Sequence, residues 1–181
     1  MKNLLTVLLT AIIMNFPLLV FCQSFIFCPD IQTEERKGFD KVKISIVMDD
    51  SRAYEKKKKE QCTKDQIFEE FVNCIKRTYP NMQITVLDSK MFYENPIKGN
   101  ITIKVKFKQY DATFYTGRYI SNTKYEVKIF DNRNEENIIE QVITGEAKQF
   151  NALGSKSGKI ASNKSFKEAF DNFILMVEKL K

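Results

Sequence analysis

Hydrophobic and polar positions alternate with a period of two in several stretches of the chain. In "KVKISIVMD", Val42, Ile44, Ile46 and Met48 share one face, as in a half-buried strand, whose successive side chains point to opposite sides. "NMQITVLD" places Met82, Ile84 and Val86 together, and "KYEVKIFD" does the same for Tyr125, Val127 and Ile129. The clearest case is "NITIKVKFKQY", where Ile101, Ile103, Val105 and Phe107 alternate with Thr102, Lys104, Lys106 and Lys108. A less regular fifth strand, "ENIIEQVITGEAKQF", suggests a bulge at Gly145. "DATFYTGRYIS" can extend its neighbours into a long hairpin.

Two stretches carry the helical period instead. In "TKDQIFEEFVNCIKRTYP", Thr63 and Gln66 form a capping box, and Ile67, Phe68, Phe71, Val72 and Ile75 fall on one side before Pro80 stops the helix. A Gly/Ser loop, "NALGSKSGKIASN", precedes a last helix capped by Ser165 with Glu168. Its stripe is Phe166, Ala169, Phe170, Phe173, Ile174, Val177 and Leu180.

The order β-α-β-β-β-β-α predicts an α/β (α+β) two-layer sandwich, a mixed sheet of about five strands with both helices on one face and the other face wet. The two strands flanking the first helix should be parallel through a right-handed crossover. Later strands joined by short turns should be antiparallel.

Ahead of this pattern, Lys2 and the uncharged run "LLTVLLTAIIMNFPLLVF" before "CQS" read as an export signal with its cut after Cys22. The run is also long enough to stay as an anchor, although Pro17 weakens a continuous spanning helix. A third reading puts a lipid on Cys22. The expected organisation is a signal peptide over 1–22, an N-terminal extended segment over 23–40 and a single sandwich domain over 41–181. Export, to the periplasm or outside the cell, removes cytosolic roles and permits disulfides.

Cleavage would leave Cys28, Cys62 and Cys74. A helix between Cys62 and Cys74 would hold them about 18 Å apart, too far to bond, so Cys28 with Cys62 is the expected pair. The chain has no histidine, which removes the usual base of hydrolase triads and the commonest metal ligand. No cofactor is expected. "GSKSGKIAS" imitates a phosphate-binding loop, but three residues separate Gly154 from Gly158 instead of four, and Ile160 stands where a hydroxyl would hold magnesium. Adjacent acids, Asp49 with Asp50 and Glu69 with Glu70, do not face one another on a strand or helix. "NIT" at Asn100 and "NKS" at Asn163 match the glycosylation triplet, which matters only in a eukaryotic secretory pathway.

A formal charge of +6 favours acidic surfaces. Two clusters are candidate anion or partner contacts: Lys56, Lys57, Lys58 and Lys59 in "YEKKKKEQC", and the strand stripe Lys104, Lys106 and Lys108, flanked by Tyr110 and Lys128. Each also has a plain reading, the first as a solvated loop bracketed by Glu55 and Glu60, the second as lysines that keep a sheet face from sticking.

With "KVKISIVMDDSR" after an export signal, then a helix, "NMQITVLD", hairpins and a terminal amphipathic helix, the chain resembles YajG-like lipoproteins and the periplasmic domain of curli-secretion-type lipoproteins. In these a strand ending in Asp-x-Arg precedes the first helix, and Asp50 and Arg52 stand in that place here. "LLVFCQS" looks like the export signal of a Bacteroidetes protein. The lipid-bearing cysteine of such lipoproteins would correspond to Cys22, although Phe21 departs from their pattern. The resemblance implies a non-enzymatic envelope role and transfers no catalytic residue. The function expected is a non-catalytic envelope accessory or binding module for a protein or an anionic lipid or glycan, monomeric or weakly self-associating, with no nucleic acid partner. A secreted effector or inhibitor comes second, and an enzyme of unrecognised type third.

Overall fold

A computed structural model describes residues 23–52, 59–93, 99–133 and 137–180. Seven strands and two α-helices follow in the order β1 (Gln23–Ile26), β2 (Lys43–Asp50), β3 (Lys59–Glu60), α1 (Lys64–Thr78), β4 (Gln83–Leu87), β5 (Ile101–Tyr115), β6 (Arg118–Asp131), β7 (Asn137–Phe150) and α2 (Ser155–Val177). The sheet is mixed, and its strands from β2 onward, β3 apart, are those the alternation predicts. The signal peptide expected over 1–22, with Cys22, lies outside the described residues.

β5 organises the sheet. β6 pairs antiparallel along its whole length, while β2 pairs parallel with its first half and β1 antiparallel with its second. The register shifts between Phe107 and Gln109, at the junction of the two halves. The bulge therefore lies in β5. At Gly145, where the sequence suggested it, the β6–β7 ladder runs on without interruption. Between β5 and β6 the two-residue turn Thr116–Gly117 has φ of 44° and 77°, the positive pair that matches a hairpin's twist.

Both helices lie on one face. Phe71 of α1 joins the layers: its ring lies 5.8 Å from Phe107, 5.6 Å from Tyr125 and 5.0 Å from Phe173 of α2. The helix stripes and the inward residues of β2, β5 and β6 form one buried cluster. α1 starts at the Thr63–Gln66 capping box.

α2 begins eleven residues earlier than the Ser165 cap predicts, at Ser155 after Gly154. From Ser155 on, the expected Gly/Ser loop is its first turns. Ser157, Gly158, Ala161, Ser162, Ser165 and Ala169 are buried, and their small size lets the helix backbone approach the sheet. A Cβ at Gly145 of β7 would lie 2.7 Å from the Ala169 nitrogen and in hard collision with the Ser165 carbonyl oxygen. Ser165 meets the Ser121 and Thr123 hydroxyls at 2.8 and 3.0 Å and donates to the Ser162 carbonyl. Glu168 does not cap a helix either. It accepts from the Glu146 N–H at 2.8 Å, and Asn172 donates to the Thr144 carbonyl at 3.3 Å, so α2 covers part of the outer edge of β7.

The N-terminal extended segment expected over 23–40 contains β1, which pairs with β3 and β5. The rest is tied down: the Arg36 N–H donates to the Thr78 carbonyl at 2.7 Å, Phe39 packs edge-on against Tyr79, and Asn163 holds the backbone of Asp30 through both ends of its amide. That engagement leaves Asn163 poorly placed to carry a glycan.

Candidate functional site

The β2–α1–β4 unit is a parallel crossover, and it puts β4 at the sheet margin, on the far side of β2 from β5. The short 3-10 helix Ser89–Tyr93 that follows β4 lies against β2. Ser45, Val47, Thr102 and Lys104 on the face away from the helices are buried, so that face is not uniformly wet.

This decides the setting of the lysine stripe. Lys104 is 8% exposed, its ammonium 5.3 Å from the centre of the Phe130 ring. Lys106 lies 3.8 Å from Asp49, Lys108 pairs with Glu126 at 3.1 Å, and Lys128 pairs with Glu140 at 3.4 Å. The stripe is a row of engaged cations. Tyr110 is not beside it but in the core on the helix side of the bulge, donating its hydroxyl to the Phe27 carbonyl. Of the other cluster, Lys56, Lys57 and Lys58 lie outside the described residues; Lys59 pairs through its backbone with Phe25. Cys28 and Cys62 are bonded, with Cα atoms 4.8 Å apart, joining the end of β1 to the start of α1. Cys74 is free and buried, its thiol pushed up to about 12 chiefly by that burial, which makes it a poor nucleophile.

Among the described residues no helix covers β4, and a groove of about 710 Å³ opens between it and the flank of α1. From Lys64 to Lys76 the groove follows three turns of α1, about 18 Å at the helical rise. Its floor is apolar: Phe68 and Val72 from α1, Met48 from β2, and Val86 and Leu87 from β4. Val86, predicted to point inward, points to the helix side but is 51% exposed there. Among the described residues the rim holds Asp65, Glu69 and Asp88 against Lys64 and Lys76, beside the Asp50–Arg52 pair. In a chain of formal charge +6 this side carries a small excess of carboxylates. Asp50 and Glu69 both line it, whereas Asp49 turns to Lys106 on the opposite face and Glu70 to Arg77 at 2.6 Å. The sequence carried one sign of the groove: the apolar arc of α1 is wide, Ile67 and Phe71 facing the core while Phe68 and Val72 extend toward a second neighbour.

The Asp-x-Arg sequence at the end of β2 closes on itself. Arg52 donates its Nε and Nη2 to the two oxygens of Asp50 at 2.8 and 2.7 Å. Burial pushes the Asp50 carboxyl up, but Arg52, through side chain and backbone, outweighs it and holds the carboxyl below its ordinary value. Asp131 and Arg133 repeat the arrangement at the end of β6, at 2.8 and 2.6 Å, and there the Arg133 hydrogen bond is the leading cause of the lowered value. A carboxylate whose pKa is lower in the folded than in the unfolded chain stabilises the fold above the unfolded value, and that contribution is lost as pH falls. Unfolding midpoints in urea should therefore decline as pH drops from the ordinary value of 3.8 through the depressed ones. Asp131→Asn should flatten part of that decline; an unchanged acid limb would show that the pair contributes nothing.

No protein-family model and no curated protein matches the chain. Solved structures do. The hypothetical protein CT253 from Chlamydia trachomatis aligns with 76% of this chain and 96% of its own, with a TM-score of 0.53 and 11% identity. Lipoprotein GNA1162 from Neisseria meningitidis aligns more loosely, over 67% of this chain and 93% of its own, with a TM-score of 0.42 and 9% identity. Protein XCC0632 from Xanthomonas campestris aligns with 82% of this chain and 92% of its own, at a TM-score of 0.54 and 6% identity. The fold is thus one this chain shares with CT253 and XCC0632, two bacterial proteins with little sequence identity to it.

Proposed function

We propose that the protein is a non-catalytic binding module of the bacterial cell envelope, exported by its N-terminal segment, and that it receives its partner in the groove between α1 and β4. The groove carries the reading: an apolar floor of Phe68, Val72 and Val86 inside a charged rim, at the margin the helix layer leaves open. Pockets of this kind, at the carboxyl ends of parallel strands, are where open sheets commonly hold ligands. Proton-transfer chemistry is poorly served there, because both oxygens of Asp50 are committed to Arg52 and the group is held ionised. Among the described residues no helix is long and apolar enough to cross a membrane, so attachment would rest on the N-terminal segment. The run Lys56 to Lys59, a few residues beyond Arg52, is the second candidate contact.

A photo-crosslinking residue in place of Phe68, with another in place of Lys148 on the sheet's opposite side as control, tests this in the native host. An envelope component joined at position 68 and not at 148, and still joined when Lys56, Lys57, Lys58 and Lys59 are all serine, is the expected result. Loss in the serine variant would move the contact to the lysines. Recovery of the chain from the medium with no envelope adduct would favour a secreted effector instead.

A further inference from the structure

Resting on the groove as the partner site, we infer that the partner enters as an extended cationic segment that adds a strand to the outer edge of β4. Three observations converge on this. First, among the described residues β4 is a sheet margin, paired only with β2. The Gln83 N–H donates to the Val42 carbonyl, and in a parallel ladder alternate residues bond to the same neighbour, so the N–H and C=O of Ile84 and Val86 point outward. The β7 margin differs, since Glu168 and Asn172 of α2 engage its backbone at Glu146 and Thr144.

Second, Ile84 and Val86 are paired with Ile44 and Ile46, so their side chains face the helix layer. A strand added beside them would turn alternate side chains into the groove, where Phe68, Val72 and the half-exposed Val86 would receive an apolar one. Main-chain bonds give such complexes affinity, and pockets for alternate side chains give them specificity.

Third, the charge is complementary to a basic segment. Asp65 and Glu69 are one turn apart on the exposed flank of α1 above the floor, and Asp88 lies where β4 ends. Lysine or arginine two positions from the apolar residue shares its face and lies on the side of these carboxylates. Among the described residues an anionic ligand would meet Asp65, Glu69 and Asp88 against Lys64 and Lys76, Asp50 and Arg52 being paired with each other.

Short random peptides displayed on phage, panned against the chain as its host processes it, supply the probe. Enriched peptides should carry basic residues two positions to either side of an apolar one and slow amide exchange at Ile84 and Val86. Val86→Pro removes one outward N–H without touching the β2 ladder, and should weaken these peptides by at least about tenfold. The exposed pair Asp65→Lys with Glu69→Lys should weaken them similarly while circular dichroism stays unchanged. Peptides that bind without protecting Ile84 and Val86, or that ignore Val86→Pro, would overturn strand addition yet leave the groove reading intact if Phe68→Glu abolishes them. Enriched peptides indifferent to Phe68→Glu would overturn both. A panning that enriches nothing would overturn the peptide, with the groove then judged by crosslinking at position 68. Self-association abolished by Val86→Pro would put a second copy on this edge and overturn it equally.

Discussion

Replacing Gly145 with alanine should destabilise the protein by about 3 kcal/mol, the upper end of what overpacking usually costs. The added methyl would strike the Ser165 carbonyl oxygen and lie 2.7 Å from the Ala169 nitrogen. Both are helix backbone, so no rotamer change relieves the contact; α2 would have to lift from β6 and β7. Lifting would also pull Ser165 from the Ser121 and Thr123 hydroxyls, leaving buried groups without their partners. For a domain of this size the loss corresponds to a fall of roughly 6–12 °C in Tm. Gly158→Ala gives the contrast. Its Cβ would meet ring atoms of Phe27 and Tyr119 at 2.9 Å, and alanine favours a helix interior by about 1 kcal/mol over glycine, so the net loss should be smaller. A Gly145→Ala protein melting within about 2 °C of the parent would show that α2 does not sit as close as its small-residue face implies.

Removing the Cys28–Cys62 bond should have an effect of similar size. The two residues are separated by 34 positions, and closing a loop of that length in the unfolded chain corresponds to about 4 kcal/mol in the chain-entropy account. Native contacts are also at stake. Cys28 follows β1 directly, Cys62 precedes the α1 cap, and between them runs the segment anchored at Arg36 and Phe39. The double variant Cys28→Ala with Cys62→Ala should unfold at lower urea than the oxidised parent, and a reductant should bring the parent down to meet it. A parent indifferent to reductant would mean that the bond adds nothing, or that it does not form in the exported chain. Cys74 is no substitute partner: it lies on α1 itself, buried, with the Arg77 guanidinium 3.1 Å from its sulfur.

What sequence alone determined here is what depends on short-range periodicity. Side chains of a strand alternate and those of a helix recur every three to four residues. The apolar faces of β2, β5 and β6, the stripes of both helices and the Thr63–Gln66 cap could therefore be read from residue order, and with them the sandwich class. The start of α2 escaped that reading. Gly158, Ser162 and Ser165 favour loops and caps when judged locally, and are helical because small residues are what a helix needs where a sheet comes close. β1 and β3 are short, and the pairing of β1 with β3 and with β5 joins residues far apart in sequence. The lysines of β5 show the same division. Alternation put Lys104, Lys106 and Lys108 on the face away from the helices, as found. Whether that face was open depended on what is brought against it in the folded chain, which buries Lys104 and sets carboxylates from other strands beside Lys106 and Lys108. The groove belongs mostly to this second level: Phe68 and Val86 are ordinary core residues by pattern, and the placement of β4 at the sheet margin leaves them beside an open channel.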